Sequence, residues 1–136
     1  VKIVIDTNIV IDYFADREPF ADFAEQIFEL CDSELVEGYF TANTITDIYY
    51  ILRKIAGDLQ TREHIKTISA ILNIVDVTGN DIMKALESHM TDFEDALLSE
   101  CAKRIRADYI VTRNTRDFID SPVIAIEPAD FINTIK

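Results

Sequence analysis

The chain has 136 residues, 49% of them apolar, with three Gly, three Pro and a formal net charge of −12. That composition excludes a disordered or low-complexity chain, and apolar runs of about five residues exclude a membrane-spanning helix, which needs about 20. The charge excludes a coat that holds nucleic acid through its overall field, because such proteins are basic.

The length suits one domain, residues 1–136, burying about 65–70% of its unfolded surface. Cys31 and Cys101 have no CxxC partner and read as small buried hydrophobes in a reducing compartment. The first residues lack a charged leader with an apolar core. The expected location is the cytoplasm.

Val1-Lys2-Ile3-Val4-Ile5 has the pattern of a strand buried on both faces of a parallel sheet. Asp6 follows it, placed where open α/β sheets hold ligands. Asp and Thr also cap helices, and Asp6-Thr7-Asn8 by itself leaves both readings open. Ile9, Val10, Tyr13 and Phe14 then fall at helical spacing, with Pro19 suited to the first turn of a second helix. That helix carries an apolar stripe through Phe20, Phe23, Ala24, Ile27, Phe28 and Leu30. The aromatics among them make a homodimer face conceivable, with core burial as the competing use.

A short strand is expected over 38–41 and a third helix over 43–55, ended by Gly57-Asp58. A fourth helix over 61–72 leads into a strand over 73–77, and a helix over 82–88 follows. The segment 92–105 forms a further helix with Phe93, Ala96, Leu97, Cys101 and Ile105 inward. Tyr109-Ile110-Val111-Thr112 is a strand, followed by a helical turn over 114–118, a fifth strand over 123–126 and a helix over 128–135. Strands alternating with helices imply parallel βαβ units with helices on both faces of one sheet.

Four of the 25 acidic residues stand at strand ends or helix starts, where a plain surface charge is not expected. They are Asp6, Asp47, Asp95 and Asp117. Each also has a local use. Thr91-Asp92-Phe93-Glu94 reads as a capping box, Thr44 and Asp47 suit a cap, and Asp117 suits a turn opened by Asn114. Were the four to converge, a pair 5 Å apart would repel by roughly 3 kcal/mol at an effective dielectric near 20. Such a cluster protonates or binds divalent cations. Oxygen-only donors select Mg²⁺ or Mn²⁺ over Zn²⁺. His64 and His89 stand alone and read as ordinary helix or surface residues.

These positions resemble PIN domains, metal-dependent nucleases of which many are ribonuclease toxins of bacterial toxin–antitoxin pairs. The likeness lies in Val4-Ile5-Asp6-Thr7-Asn8, in the stretch Thr46 to Arg53, in Asp92-Phe93-Glu94-Asp95-Ala96-Leu97, and in Ala107 to Asn114 closing on Asp117-Phe118. It implies a three-layer α/β/α sandwich around a parallel, roughly five-stranded sheet, with the first and fourth strands adjacent. It further implies Asp6, Asp47, Asp95 and Asp117 as catalytic, metal-binding acids acting with Mg²⁺ or Mn²⁺. An RNA substrate and a cognate antitoxin are the partners it implies. Many members have Glu where this chain has Asp47, and the shorter arm leaves open whether it meets metal directly or through water. Asp92 is a further acid on the same helix side as Asp95.

The expected reaction is hydrolysis of an RNA phosphodiester by metal-activated water. Thr7, Asn8, Thr112 and Asn114 would orient the acids, although Thr7 and Asn114 equally suit capping. Arg113 and Arg116, together with Arg53 and Lys54, are candidates to hold phosphate. An alternative is a module of the same fold that binds a partner without cleaving. An Asp-based phosphatase is a more distant one, since haloacid dehalogenase-like enzymes need an acid where Asn8 stands. Receiver domains need a Lys where the fifth strand runs into Glu127-Pro128.

Overall fold

A computed structural model describes residues 1–136. Five parallel strands form one sheet in the order β3-β2-β1-β4-β5. They are β1 (Lys2–Ile5), β2 (Glu37–Thr41), β3 (Asn73–Val75), β4 (Tyr109–Val111) and β5 (Ala125–Ile126). The order reverses at β1, whose neighbours are β2 and β4. That reversal opens a crevice at the carboxyl ends of the strands. The helices are α1 (Thr7–Phe14), α2 (Phe20–Asp32), α3 (Ala42–Ser69), α4 (Gly79–Leu86), α5 (Phe93–Arg104) and α6 (Pro128–Ile135), with a 3₁₀ turn at Thr115–Phe118.

Two apolar cores explain the three layers. Ile3 and Ile5 of β1 join one core with residues of α1, α2, α3 and α6. Val4, between them in sequence, joins the other with α4, α5 and Phe118. Alternate side chains leave a strand on opposite faces, so β1 is apolar at Ile3, Val4 and Ile5, the three positions that face a core. β4 repeats this, with Val111 in the first core and Ile110 in the second. Cys31 and Cys101 are buried and free, and burial pushes both thiols up to about 12.

Most element boundaries agree with the sequence reading, and the differences have physical reasons. The two helices expected over 43–55 and 61–72 meet at Gly57 without an intervening loop. Gly57 has φ 80° and ψ 168°, a region essentially reserved for glycine. Helical backbone resumes directly after it. Thr41, not Thr44, caps α3, accepting from the Thr44 amide, so Asp47 lies in the second turn rather than at the third position. Asp92, not Thr91, caps α5 by accepting from the Asp95 amide at 3.0 Å. Phe28 is buried and Phe23 half-buried, while Phe20 is exposed with Arg113 lying 4.1 Å from its ring centroid.

Gly38 on β2 shows how tightly the first core closes. A Cβ there would lie 2.5 Å from Leu72 Cδ2 and 2.6 Å from Cys31 Sγ. Gly38→Ala is expected to cost about 1–3 kcal/mol, the usual range for overpacking a filled core. Urea denaturation would read it as a lower midpoint at unchanged slope.

Candidate functional site

Asp6 stands one residue beyond β1, and its amide still bonds to Val111 O of β4 at 3.0 Å. That one ladder bond sets Asp6 beside Thr112. The buried Thr112 hydroxyl donates to Asp6 Oδ2 at 2.8 Å, and the Thr7 amide donates to Oδ1 at 2.8 Å. Asn8 Nδ2 lies 3.4 Å from Oδ2 and 3.3 Å from the Thr112 hydroxyl. The same hydroxyl accepts from the Asn114 amide at 3.0 Å, and Asn8 Oδ1 accepts from the Arg113 amide. Asp6 is therefore both the cap of α1 and a fixed carboxylate at the crevice. The two uses coexist.

Asp47 and Asp95 share with Asp6 a cleft of about 460 Å³, also lined by Thr7, Asn8, Arg17, Tyr50, Glu94 and Asn114. Asp117 opens instead onto an adjoining cleft with Asp92, Arg116 and Asp120, and Asp95 belongs to both. The four acids thus lie around one rim, in two clefts that meet at Asp95. No three acidic, His or Cys side chains are arranged to hold a common ion.

The electrostatics mark crowding. Burial raises Asp95 to about 7, helped by the charges of Asp6, Asp92, Asp117 and Glu94. Asp6 is raised by burial and by Asp117 and Asp47, against the lowering hydrogen bonds from Thr112 and Thr7. Asp47 is raised by burial, partly offset by a hydrogen bond with Glu94, while Glu94 is raised first by the charge of Asp47.

Asp81 supplies an internal comparison. Like Asp95 it is the third residue of its helix. Burial pushes Asp81 up, but Arg104 grips both its oxygens and Thr78 completes a reciprocal capping box. It falls to about 2. Asp95 has no such cation, and its carboxylate returns no bond to Asp92. An acid in that state suits a hard divalent cation, and so do the oxygen-only donors around it. The residues fit the ion by chemistry.

A group whose folded pKa is raised binds its proton more tightly when folded. In chelator, the protein should therefore gain stability as pH falls from about 7 toward 4, and lose it as pH rises through that window. Thermal melts across pH should show the slope, and Asp95→Asn should flatten it. A melting point that falls with acidification over this window, or an unchanged slope in Asp95→Asn, would contradict this account of the cleft.

The structure also changes the roles available to two arginines. Arg113 donates from Nε and Nη2 to the fully buried Asp12 at 2.5 and 3.0 Å. Its guanidinium is committed to Asp12 and not presented to the cleft. Arg17 lies 4.0 Å from the same carboxylate, remains half exposed and lines the cleft. Arg116 is exposed beside Asp117 in the adjoining cleft. Sequence reasoning missed Glu94, Arg17 and Tyr50 as cleft residues. His64 stacks on Phe14 with centroids 4.3 Å apart, and His89 is exposed on the surface.

Compared with known proteins, residues 2–116 match a family model described as the PIN domain. No curated protein sequence matches the chain. Among solved structures, one is a toxin–antitoxin complex from Klebsiella pneumoniae, 22% identical, with a TM-score of 0.71 over 93% of this chain and 97% of that one. VapBC2 from Rickettsia felis, bound to a DNA fragment from its promoter, is 16% identical with a TM-score of 0.71 over 93% and 98%. Mycobacterium tuberculosis VapC20, a sarcin–ricin-loop-cleaving toxin, is 14% identical with a TM-score of 0.65 over 79% and 86%. At these identities the structures attest the fold. No helix is long and apolar enough to cross a membrane.

Proposed function

The chain belongs to the PIN domain family, and from that premise we propose that it is a metal-dependent endoribonuclease acting as the toxin of a toxin–antitoxin pair. The observation that carries the reading is Asp6. It is fixed by Thr112 at the switch between β1 and β4, within a rim of acids that lack cationic partners. The solved likenesses support it, since one is named as a toxin–antitoxin complex and another as a sarcin–ricin-loop-cleaving toxin.

Asp6, Asp95 and Asp117, too widely spread in this structure to ligate one ion together, would hold Mg²⁺ or Mn²⁺ partly through water, with Asp47 contributing directly or through water. Glu94, beside Asp47, would add a second carboxylate where that shorter arm falls back. When bound, the cation supplies acidity to the attacking water and positive charge against the phosphoryl oxygens. The protein's part is orientation. Thr112 and Thr7 fix both oxygens of Asp6, and Asn8 ties Asp6 to Thr112 and to the Arg113 backbone. Arg17 and Arg116 are the cleft cations that would meet phosphate. An antitoxin presenting basic groups would suit the acidic rim and the net charge of −12.

The test is incubation of the purified chain with several RNAs in Mn²⁺ or Mg²⁺, with and without EDTA. Cleavage that EDTA abolishes is the expected result. Absence of chelator-sensitive cleavage on every RNA would favour a partner-binding module instead. The toxin role predicts growth arrest on expression alone, relieved by a coexpressed antitoxin.

A further inference from the structure

We propose that a pocket floored by Phe20 and Phe23 and flanked by Glu127 docks an arginine or lysine side chain from a basic segment of a partner protein. The pocket shares no lining residue with either acid cleft, so the proposal does not depend on cleavage.

The pocket has a volume of about 300 Å³ and is lined by Phe20, Phe23, Arg113, Glu127, Pro128 and Ala129. Arg113 and Glu127 arrive just past the carboxyl ends of β4 and β5, and the start of α2 supplies the two rings. Phe23 packs on the first apolar core and is fixed from below. Phe20 remains 39% exposed. The floor is thus anchored at one ring and open at the other.

The protein itself shows what such a floor accepts. The Arg113 guanidinium lies 4.1 Å from the Phe20 ring centroid, and a cation over a ring is attracted by the ring's quadrupole. Its charge is already matched, because Nε and Nη2 donate to the fully buried Asp12. A second cation would therefore meet the rings and Glu127 with little repulsion from Arg113. Glu18 and Asp22, near Phe20 in sequence, and Asp130, next to Ala129, are further exposed acids. No Lys and no other Arg lines the pocket. An anionic group would face these carboxylates, and an apolar side chain would gain nothing from them. The side chain that uses rings and acids together is an apolar stem ending in a cation. The net charge of −12 draws a basic segment to the protein, and the pocket gives one of its residues a defined seat.

The test is titration of the ¹⁵N-labelled chain with the peptide acetyl-Gly-Arg-Gly-amide, and with the same peptide carrying Leu or Glu at its centre. The arginine peptide should move the backbone amides of Phe20, Phe23 and Ala129 saturably, and the other two should not. Phe20→Leu keeps apolar bulk but loses the ring face, and should bind about 2- to 30-fold more weakly, the span of one cation–π contact. Glu127→Gln should also weaken binding, as should added salt in the wild type. Asp95→Asn, which removes a carboxylate of the acid cleft and none of the pocket, should bind like the wild type. No saturable shift, equal binding of the leucine peptide, or shifts confined to residues around Asp6 and Asp95 would overturn the proposal. Undiminished binding by both Phe20→Leu and Glu127→Gln would do so too. Binding by a chain that cleaves no RNA would remove the nuclease reading and leave the docking pocket standing.

Discussion

Asp6→Asn is expected to lower metal-dependent RNA cleavage by more than about 100-fold while leaving the fold in place, with Asp95→Asn close behind. Loss of groups that merely orient metal ligands typically costs 10–100-fold, and Asp6 stands one step nearer the chemistry. The amide keeps a carbonyl oxygen for the Thr7 amide, so α1 retains its cap. What it loses is the charge, together with an oxygen able to accept from the Thr112 hydroxyl. Cleavage of one RNA over a Mn²⁺ titration measures the effect, with circular dichroism as the check on folding. Near-wild-type rates at saturating metal in both variants would remove these acids from the site.

The second large effect concerns stability. Asp12 is fully buried on α1, held by two hydrogen bonds from Arg113 of the segment after β4. Removing one member of a buried pair strands the other's charge in the interior and costs about 3–5 kcal/mol. Arg113→Ala is expected to fall in that range, because it leaves Asp12 buried with only the more distant Arg17 at 4.0 Å. Asp12→Ala should cost less, since Arg113 is half-buried and can turn toward water. Urea denaturation of the two single variants and the double variant yields the coupling. Full additivity would show that the pair contributes nothing through mutual contact. The pair also locks the backbone that presents Thr112 and Asn114, so cleavage by Arg113→Ala should fall through geometry and not through lost phosphate contact.

The sequence made the sheet legible because β1 and β4 are apolar at every position that faces a core. Their adjacency came from the family resemblance, and the register shows why it matters: Asp6 and Thr112 are brought together by strands whose residues are 106 apart. Glu94 was hidden by a one-residue shift in the helix start. Read from Thr91, it serves a cap. Read from the observed cap Asp92, it lies about 100° around the helix from that role, beside Asp47. The Asp12–Arg113 pair was hidden differently, since nothing local links residues 101 apart. The available signal was an acid inside the stripe Ile9, Val10, Tyr13 and Phe14, where an unpaired carboxylate is costly. Arg113 was read as a phosphate ligand because its partner was not visible.

The glycine inside α3 has a mechanical meaning. A continuous helix of 28 residues would be a rod of about 42 Å, and strain at one end would travel to the other. At Gly57 the helical backbone is interrupted by a kink, so the element behaves as two short levers joined by a pin. Asp47 and Tyr50 ride on the first lever, which Ile48 and Leu52 anchor in the apolar core, while Ile68 anchors the second. Fraying or tightening around the carboxylates can thus occur without loosening the attachment of the second lever.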